Sequence, residues 1–176
     1  MNLEAYSDDP FEAEYAQFWA DASIRAGLNT SKPYFGPNPT DSVRPPAWSF
    51  GADTASADAL LALVLDGTKT ATASALWDYE ATGEPLPRSG NLSIVTDGAG
   101  HPRALIRTTD VRIVPFGEVD EAHARAEGEG DRSLSHWRRV HREYFTEHAE
   151  HGRGFAQDMP VVLESFEMLV PRHRAG

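Results

Sequence analysis

The chain has 176 residues, of which 27 are acidic and 16 are Lys or Arg, for a net charge of −11 near neutral pH. A protein that tracks a long nucleic acid needs a broad basic surface to displace counterions. The charge balance excludes that mode, and DNA with it, and leaves local contact with one base, a short single strand or a small ligand. No cysteine is present, so disulfides, thiolate metal sites and a cysteine nucleophile are all ruled out.

Hydrophobic residues at 40% and charged residues at 24% describe a globular chain of one domain with an added arm. The first nine residues lack the basic-then-apolar order of a signal peptide. The longest apolar run, Ala59–Leu65, is too short to span a bilayer. The acidity also disfavours anionic membranes. A cytoplasmic location without a membrane partner is therefore expected.

In chain order, Phe11, Tyr15, Phe18 and Trp19 recur at helical spacing and predict an amphipathic helix over Pro10–Leu28, packed on the core. Residues 29–47 hold five prolines and predict a connector, with Tyr34, Phe35 and Trp48 favouring partial packing. Ala55–Asp66 reads as a helix capped by Asp53 or Thr54 and ended by Gly67. Thr70–Ser74 reads as extended, Leu92–Thr96 as a strand, Asp97–Gly100 as a turn and Arg103–Val114 as the returning strand. Val119–Ala126 and Ser133–Glu150 read as helices, and Val161–Leu169 as the last strand. The class is α+β, and the strands suit a small mixed barrel with flanking helices and an N-terminal helical arm. The expected division is an arm and connector over 1–47, a main domain over 48–170 and a tail over 171–176.

Three stretches carry chemistry. Gly67-Thr68-Lys69-Thr70-Ala71-Thr72 places a lysine and three hydroxyls where a helix gives way to a strand. It lacks the glycine spacing of a phosphate loop. A lysine there can hold an anion, or lose its proton in a dry pocket and activate a threonine. Residues three apart in a regular strand face opposite sides, so Lys69 and Thr72 share a pocket only if Lys69 lies in the turn or the strand is bulged. Glu127-Gly128-Glu129-Gly130-Asp131-Arg132 brings three acids together between two helices. It is a candidate for a catalytic carboxylate or a divalent ion, although its spacing is not that of a calcium loop. His136, His141, His148 and His151 lack a His-Glu-x-x-His arrangement and read as surface and core-edge histidines. No serine elbow and no dinucleotide fingerprint is present.

Taken together, the residues resemble the ASCH family. The resemblance runs from Ala47-Trp48-Ser49-Phe50-Gly51 through Leu63–Ser74, Gly90–Val95 and Val114–Val119. It continues through Ala126–Leu134 and Trp137 to Met159-Pro160-Val161-Val162. It implies a PUA-like barrel and an RNA or nucleoside partner. One branch of the family removes the acetyl group from N4-acetylcytidine. Its catalytic Lys-Thr-x-Thr is similar to Lys69–Thr72, and its His-Ala-x-x-Glu is similar to His123–Glu127. Longer members include a ribonuclease acting on single-stranded RNA. This chain has Ala73-Ser74 where the small amidohydrolases have Ile-Arg, and it carries the added arm.

By this resemblance Lys69, Thr72 and Glu127 are the expected catalytic residues. Trp48, Thr70, Ser74, Glu129, Asp131 and Arg132 are the expected substrate contacts. The leading expectation is hydrolysis of single-stranded RNA, with Lys69 stabilising phosphate charge and Glu127 activating a ribose hydroxyl. The alternatives are amide hydrolysis on an acylated nucleoside and a binding module without catalysis. In the amide reading, a partly neutral Lys69 takes the Thr72 proton while Glu127 orients the amine or shuttles a proton. No cofactor is assigned by these readings, and a divalent cation stays open as an alternative at the acidic stretch.

Overall fold

The computed structural model describes residues 10–28 and 43–171. Most of the proline-rich connector, including Tyr34 and Phe35, and the tail from residue 172 onward lie outside the described residues.

Helix α1, Glu12–Arg25, carries Glu12 and Glu14 in its first turn and Arg25 in its last, in the sense that suits its dipole. It buries Ala22, and Phe18 and Trp19 pack around Ile94, Leu105 and Val170. The Tyr15 hydroxyl donates to the Gly100 carbonyl at 2.8 Å, and Arg44 pairs with Glu12 at 3.0 Å. The helix is thus packed on the core, as its spacing predicts.

A two-residue strand β1, Ala47–Trp48, leads to α2, Thr54–Leu65. Asp53 caps α2, accepting from the Ser56 amide at 2.8 Å, while Ser56 Oγ accepts from the Asp53 amide at 3.1 Å. Gly67 follows at φ +82°, the left-handed turn that releases the chain from the helix. Strand β2 is Ala71–Ala75, and it runs directly into a short helix α3, Leu76–Thr82. The hairpin of β3, Leu92–Thr96, and β4, Pro102–Pro115, lies where the sequence places it. A 3-10 turn at Phe116–Glu118 precedes α4, Glu121–Glu127. Helix α5, Leu134–Glu147, and strand β5, Pro160–Val170, complete the fold.

The strand order is β1-β3-β4-β5-β2, with β1 parallel to β3 and the other neighbours antiparallel. The α+β class with flanking helices is as expected, and among the described residues the sheet stays open where a closed barrel was expected. The edge strand β1 offers two residues, too few to close a ring with β2 at the far edge.

The β2–β5 ladder sorts its side chains by strand alternation. Ala73 and Ala75, opposite Leu163 and Val161, face a core of Phe116, Trp137, Phe145 and Met159. Thr72 and Ser74 turn to the other face, opposite Glu164 and Val162. A second apolar cluster on that side holds Phe50, Leu61, Val64, Ile106 and Phe166.

Candidate active site

Lys69 sits in the link between α2 and β2, before the strand begins, so it escapes strand alternation. Its amide donates to Leu63 O at 2.9 Å, the Thr70 amide to Ala126 O at 2.8 Å, and the Phe166 amide to Thr70 O at 2.9 Å. The link is pinned to α2, α4 and β5 at once.

The lysine is 2% exposed. Its Nζ donates to Glu129 Oε1 at 2.9 Å and to Glu127 Oε2 at 3.2 Å, and lies 5.3 Å from the centroid of Phe50. Burial opposes the charge, but Glu127 and Glu129 outweigh it and hold the pKa above the ordinary lysine value. The two carboxylates thus favour the charged ammonium over the partly neutral amine.

Glu127 ends α4 and is 1% exposed. Besides Lys69, it accepts from Trp137 Nε1 at 2.7 Å and from His123 Nε2 at 2.9 Å, with His141 Nε2 at 3.4 Å. Burial disfavours its charge, yet Lys69 and His141, with these donors, hold its pKa well below the ordinary carboxylate value. Glu127 thus joins Lys69 to Trp137, His123 and His141 in one buried network.

His141 stacks on Trp137, with ring centroids 4.2 Å apart, and its Nδ1 is 3.0 Å from the Trp137 carbonyl. That carbonyl can only accept, so Nδ1 carries a proton. Nε2 faces an ionised carboxylate and carries the second. Burial lowers its pKa, and Glu127 more than restores it, to above the ordinary histidine value. Lys69 and His141 therefore stand against Glu127 and Glu129 within one buried network.

This network forms one wall of a cavity of about 630 Å³. Lys69, Thr72, Glu127, Trp48, Ser74 and Glu129 line it, so six of the nine expected site residues are brought together. Three are not. Thr70 is exposed and bonds Ala126 O through its hydroxyl at 3.3 Å. Asp131 accepts from the Ser133 amide at 2.9 Å at the entry to α5, and Arg132, at φ +63°, donates to Arg125 O. The acid cluster is split, because Glu127 and Glu129 turn to Lys69 while Asp131 turns to α5. Among the described residues, no group of three or more His, Asp or Glu side chains is arranged to hold a metal ion.

The cavity also recruits residues that the sequence reading passed over. Glu164 faces it from the middle of β5, and a carboxylate alternating with the apolar Val162 and Phe166 was the available signal. Burial raises the Glu164 pKa, and a hydrogen bond from the Thr108 hydroxyl only partly offsets this. Tyr79, on the unforeseen helix α3, bonds Ser74 Oγ at 3.0 Å. Burial raises its pKa as well. Trp48 and Phe50 pack edge to face at 4.7 Å along the apolar wall.

The fold and cavity define an α+β domain with a mixed sheet, flanking helices and a cavity into which Lys69, Thr72 and Glu127 converge. The chain belongs to the ASCH domain family, whose profile matches residues 46–170. ASCH domains have a PUA-like fold that commonly binds RNA. The chain is similar to an ASCH domain from Lactobacillus crispatus JV V101, at 30% identity and a TM-score of 0.75 over 93% of this chain and 99% of that one. It is equally similar to a protein from Enterococcus faecalis V583, at 31% identity and a TM-score of 0.75 with the same coverage. Among curated proteins, none matches. Among the described residues, no helix is long and apolar enough to cross a membrane.

Proposed function

We propose that the cavity receives a single nucleobase, from a free nucleoside or an unstacked residue of RNA, and hydrolyses an amide carried on that base. The observation behind this reading is the charge of the lining. Five carboxylates (Asp53, Glu84, Glu127, Glu129 and Glu164) stand against Lys69 and His141, and no arginine takes part. Both cations are already matched by Glu127 and Glu129. Such a lining repels phosphate and favours a neutral ring with amino donors, which carboxylates recognise. Trp48 and Phe50 supply the apolar surface on which single-stranded bases stack. The volume falls within the range of small-molecule sites. Amide hydrolysis on a nucleoside is thus favoured over strand cleavage, which needs a cation free to meet the phosphate.

In this reading Thr72 is the nucleophile. Among the described residues its hydroxyl makes no hydrogen bond, so it is free to act on a bound ligand. The Lys69 ammonium has three protons and gives two to Glu127 and Glu129. Its third can bond the amide oxygen and stabilise the negative charge that develops there.

The test is incubation with N4-acetylcytidine and, separately, with labelled single-stranded RNA. Release of acetate from the nucleoside is expected, with intact RNA. Thr72→Val keeps the shape of the site and should abolish turnover while retaining nucleoside binding. Strand cleavage that survives Thr72→Val would replace this reading with the ribonuclease one. Binding without turnover of either substrate would leave the domain a binding module.

A further inference from the structure

A threonine nucleophile needs a proton acceptor, and Lys69 and Glu127 are already bonded to each other and to Glu129, His123 and Trp137. We infer that Glu164, which lies outside both the Lys-Thr-x-Thr and the His-Ala-x-x-Glu elements, takes and returns the Thr72 hydroxyl proton. The inference rests on the hydrolytic reading of this cavity.

Thr72 and Glu164 are directly opposed in the antiparallel β2–β5 ladder. Opposed residues project to the same face with Cβ atoms about 5 Å apart, a gap that a glutamate side chain spans. Both residues line the cavity. Among the described residues, the single hydrogen bond to the Glu164 carboxylate comes from Thr108 to Oε1. Thr108 is buried and sits opposite Phe166, the next residue on the Glu164 face of β5. The register shift between Thr108 and Asp110 lets β4 present Thr108 to that face. Glu164 is thereby held through Oε1, and among the described residues its second oxygen accepts no hydrogen bond.

The ionisable groups that share its cavity are Tyr79, Glu84, Asp53 and Tyr144 and the set Lys69, Glu127, Glu129 and His141. No unmatched cation among them holds Glu164 acidic. Partial burial pushes its pKa up, toward the range of a useful base.

The step balances as follows. Glu164 takes the Oγ proton as Thr72 Oγ bonds to the amide carbon. The C–N bond then breaks, and Glu164 returns that proton to the departing nitrogen, leaving an acyl ester on Thr72. Water attacks the ester, giving one proton to Glu164, and the ester C–O bond breaks. Thr72 Oγ recovers the proton, and carboxylic acid and amine are released.

The test uses p-nitrophenyl acetate, an activated ester that needs no nucleoside recognition. Acetylation of Thr72 is followed by intact mass and peptide mapping, alongside turnover of N4-acetylcytidine. Wild type should acetylate with a rate that rises with pH through one ionisation and then levels. Glu164→Gln should lose about 100-fold or more and the pH-dependent limb, with Glu164→Asp recovering part of both. Thr108→Val removes the donor that favours the charged carboxylate, so the limb should move to higher pH with the plateau kept. Thermal melts identify any variant that fails to fold. No acetylation of Thr72 in wild type, or wild-type rates in folded Glu164→Gln, overturns the assignment. If Glu164→Gln keeps full nucleoside turnover, this inference falls and the hydrolytic reading stands. If Thr72 acetylates through Glu164 but no acylated nucleoside is turned over, the assignment stands and the nucleoside reading falls.

Discussion

Lys69 shows how a side chain's role depends on its neighbours. A buried lysine alone loses its proton; one facing two carboxylates keeps it. The same balance sets the pH response of the buried network. His141 has a folded pKa above its unfolded value of about 6.5. Its contribution to stability is therefore complete below about pH 6.5 and is lost as pH rises through the folded value. Glu127 is the reverse case: its folded pKa is depressed, so its contribution is present above about pH 4.3 and is lost as pH falls. In urea titrations, His141→Gln should lie about 1.5–3 kcal/mol below wild type near pH 6, the cost of a hydrogen bond to a charged group. The gap should narrow on the alkaline side. A gap that stays constant with pH would mean that His141 is not charged in the folded protein.

At the scale of elements, the site depends on short connections. Gly128 follows α4 at φ +75°, and a Cβ there would meet Thr68 O at 2.6 Å. That close approach seats the end of α4 against the link carrying Lys69, and so brings Glu127 and Glu129 to the ammonium. Gly128→Ala should cost about 2 kcal/mol or more, from the left-handed backbone together with the clash. It should also weaken nucleoside binding, measured by calorimetry. Wild-type stability in this variant would show that the packing of α4 on the link is loose. Strand β2 makes the complementary contribution. Its alternation sends alanines into the core and Thr72 and Ser74 into the cavity, so a single shift of register would exchange them.

For the molecule as a whole, acidity and a base-sized cavity predict shallow electrostatics. If the domain binds single-stranded RNA with two or three phosphate contacts, log affinity should fall with log salt with a slope of about −1.4 to −2.1. Fluorescence anisotropy across a salt series measures it, and a slope several times steeper would reveal a basic path along the surface. The packed α1 extends the domain on the side of Ile94, Leu105 and Val170, away from the residues lining the cavity.

Local signals made most elements legible in the sequence. Helical spacing marked α1, α2 and α5, a glycine turn marked the β3–β4 hairpin, and the caps Asp53 and Gly67 bounded α2. Helix α3 was missed because Ala75 opens it directly from β2 without the side-chain cap that Asp120 gives α4, and β1 because a two-residue strand exists only through its pairing with β3. The sequence alone determined the family, the acidity and the meeting of Lys69 with Thr72 and Glu127, since a distinctive motif and a charge count survive without coordinates. Only the tertiary structure decided that Lys69 meets two carboxylates, that Glu127 gathers Lys69, His123 and Trp137, that Asp131 and Arg132 stand apart and that Glu164 is paired opposite Thr72. Protonation depends on burial and on partners tens of residues away, and cross-strand opposition depends on register, and neither leaves a local trace in the order of amino acids.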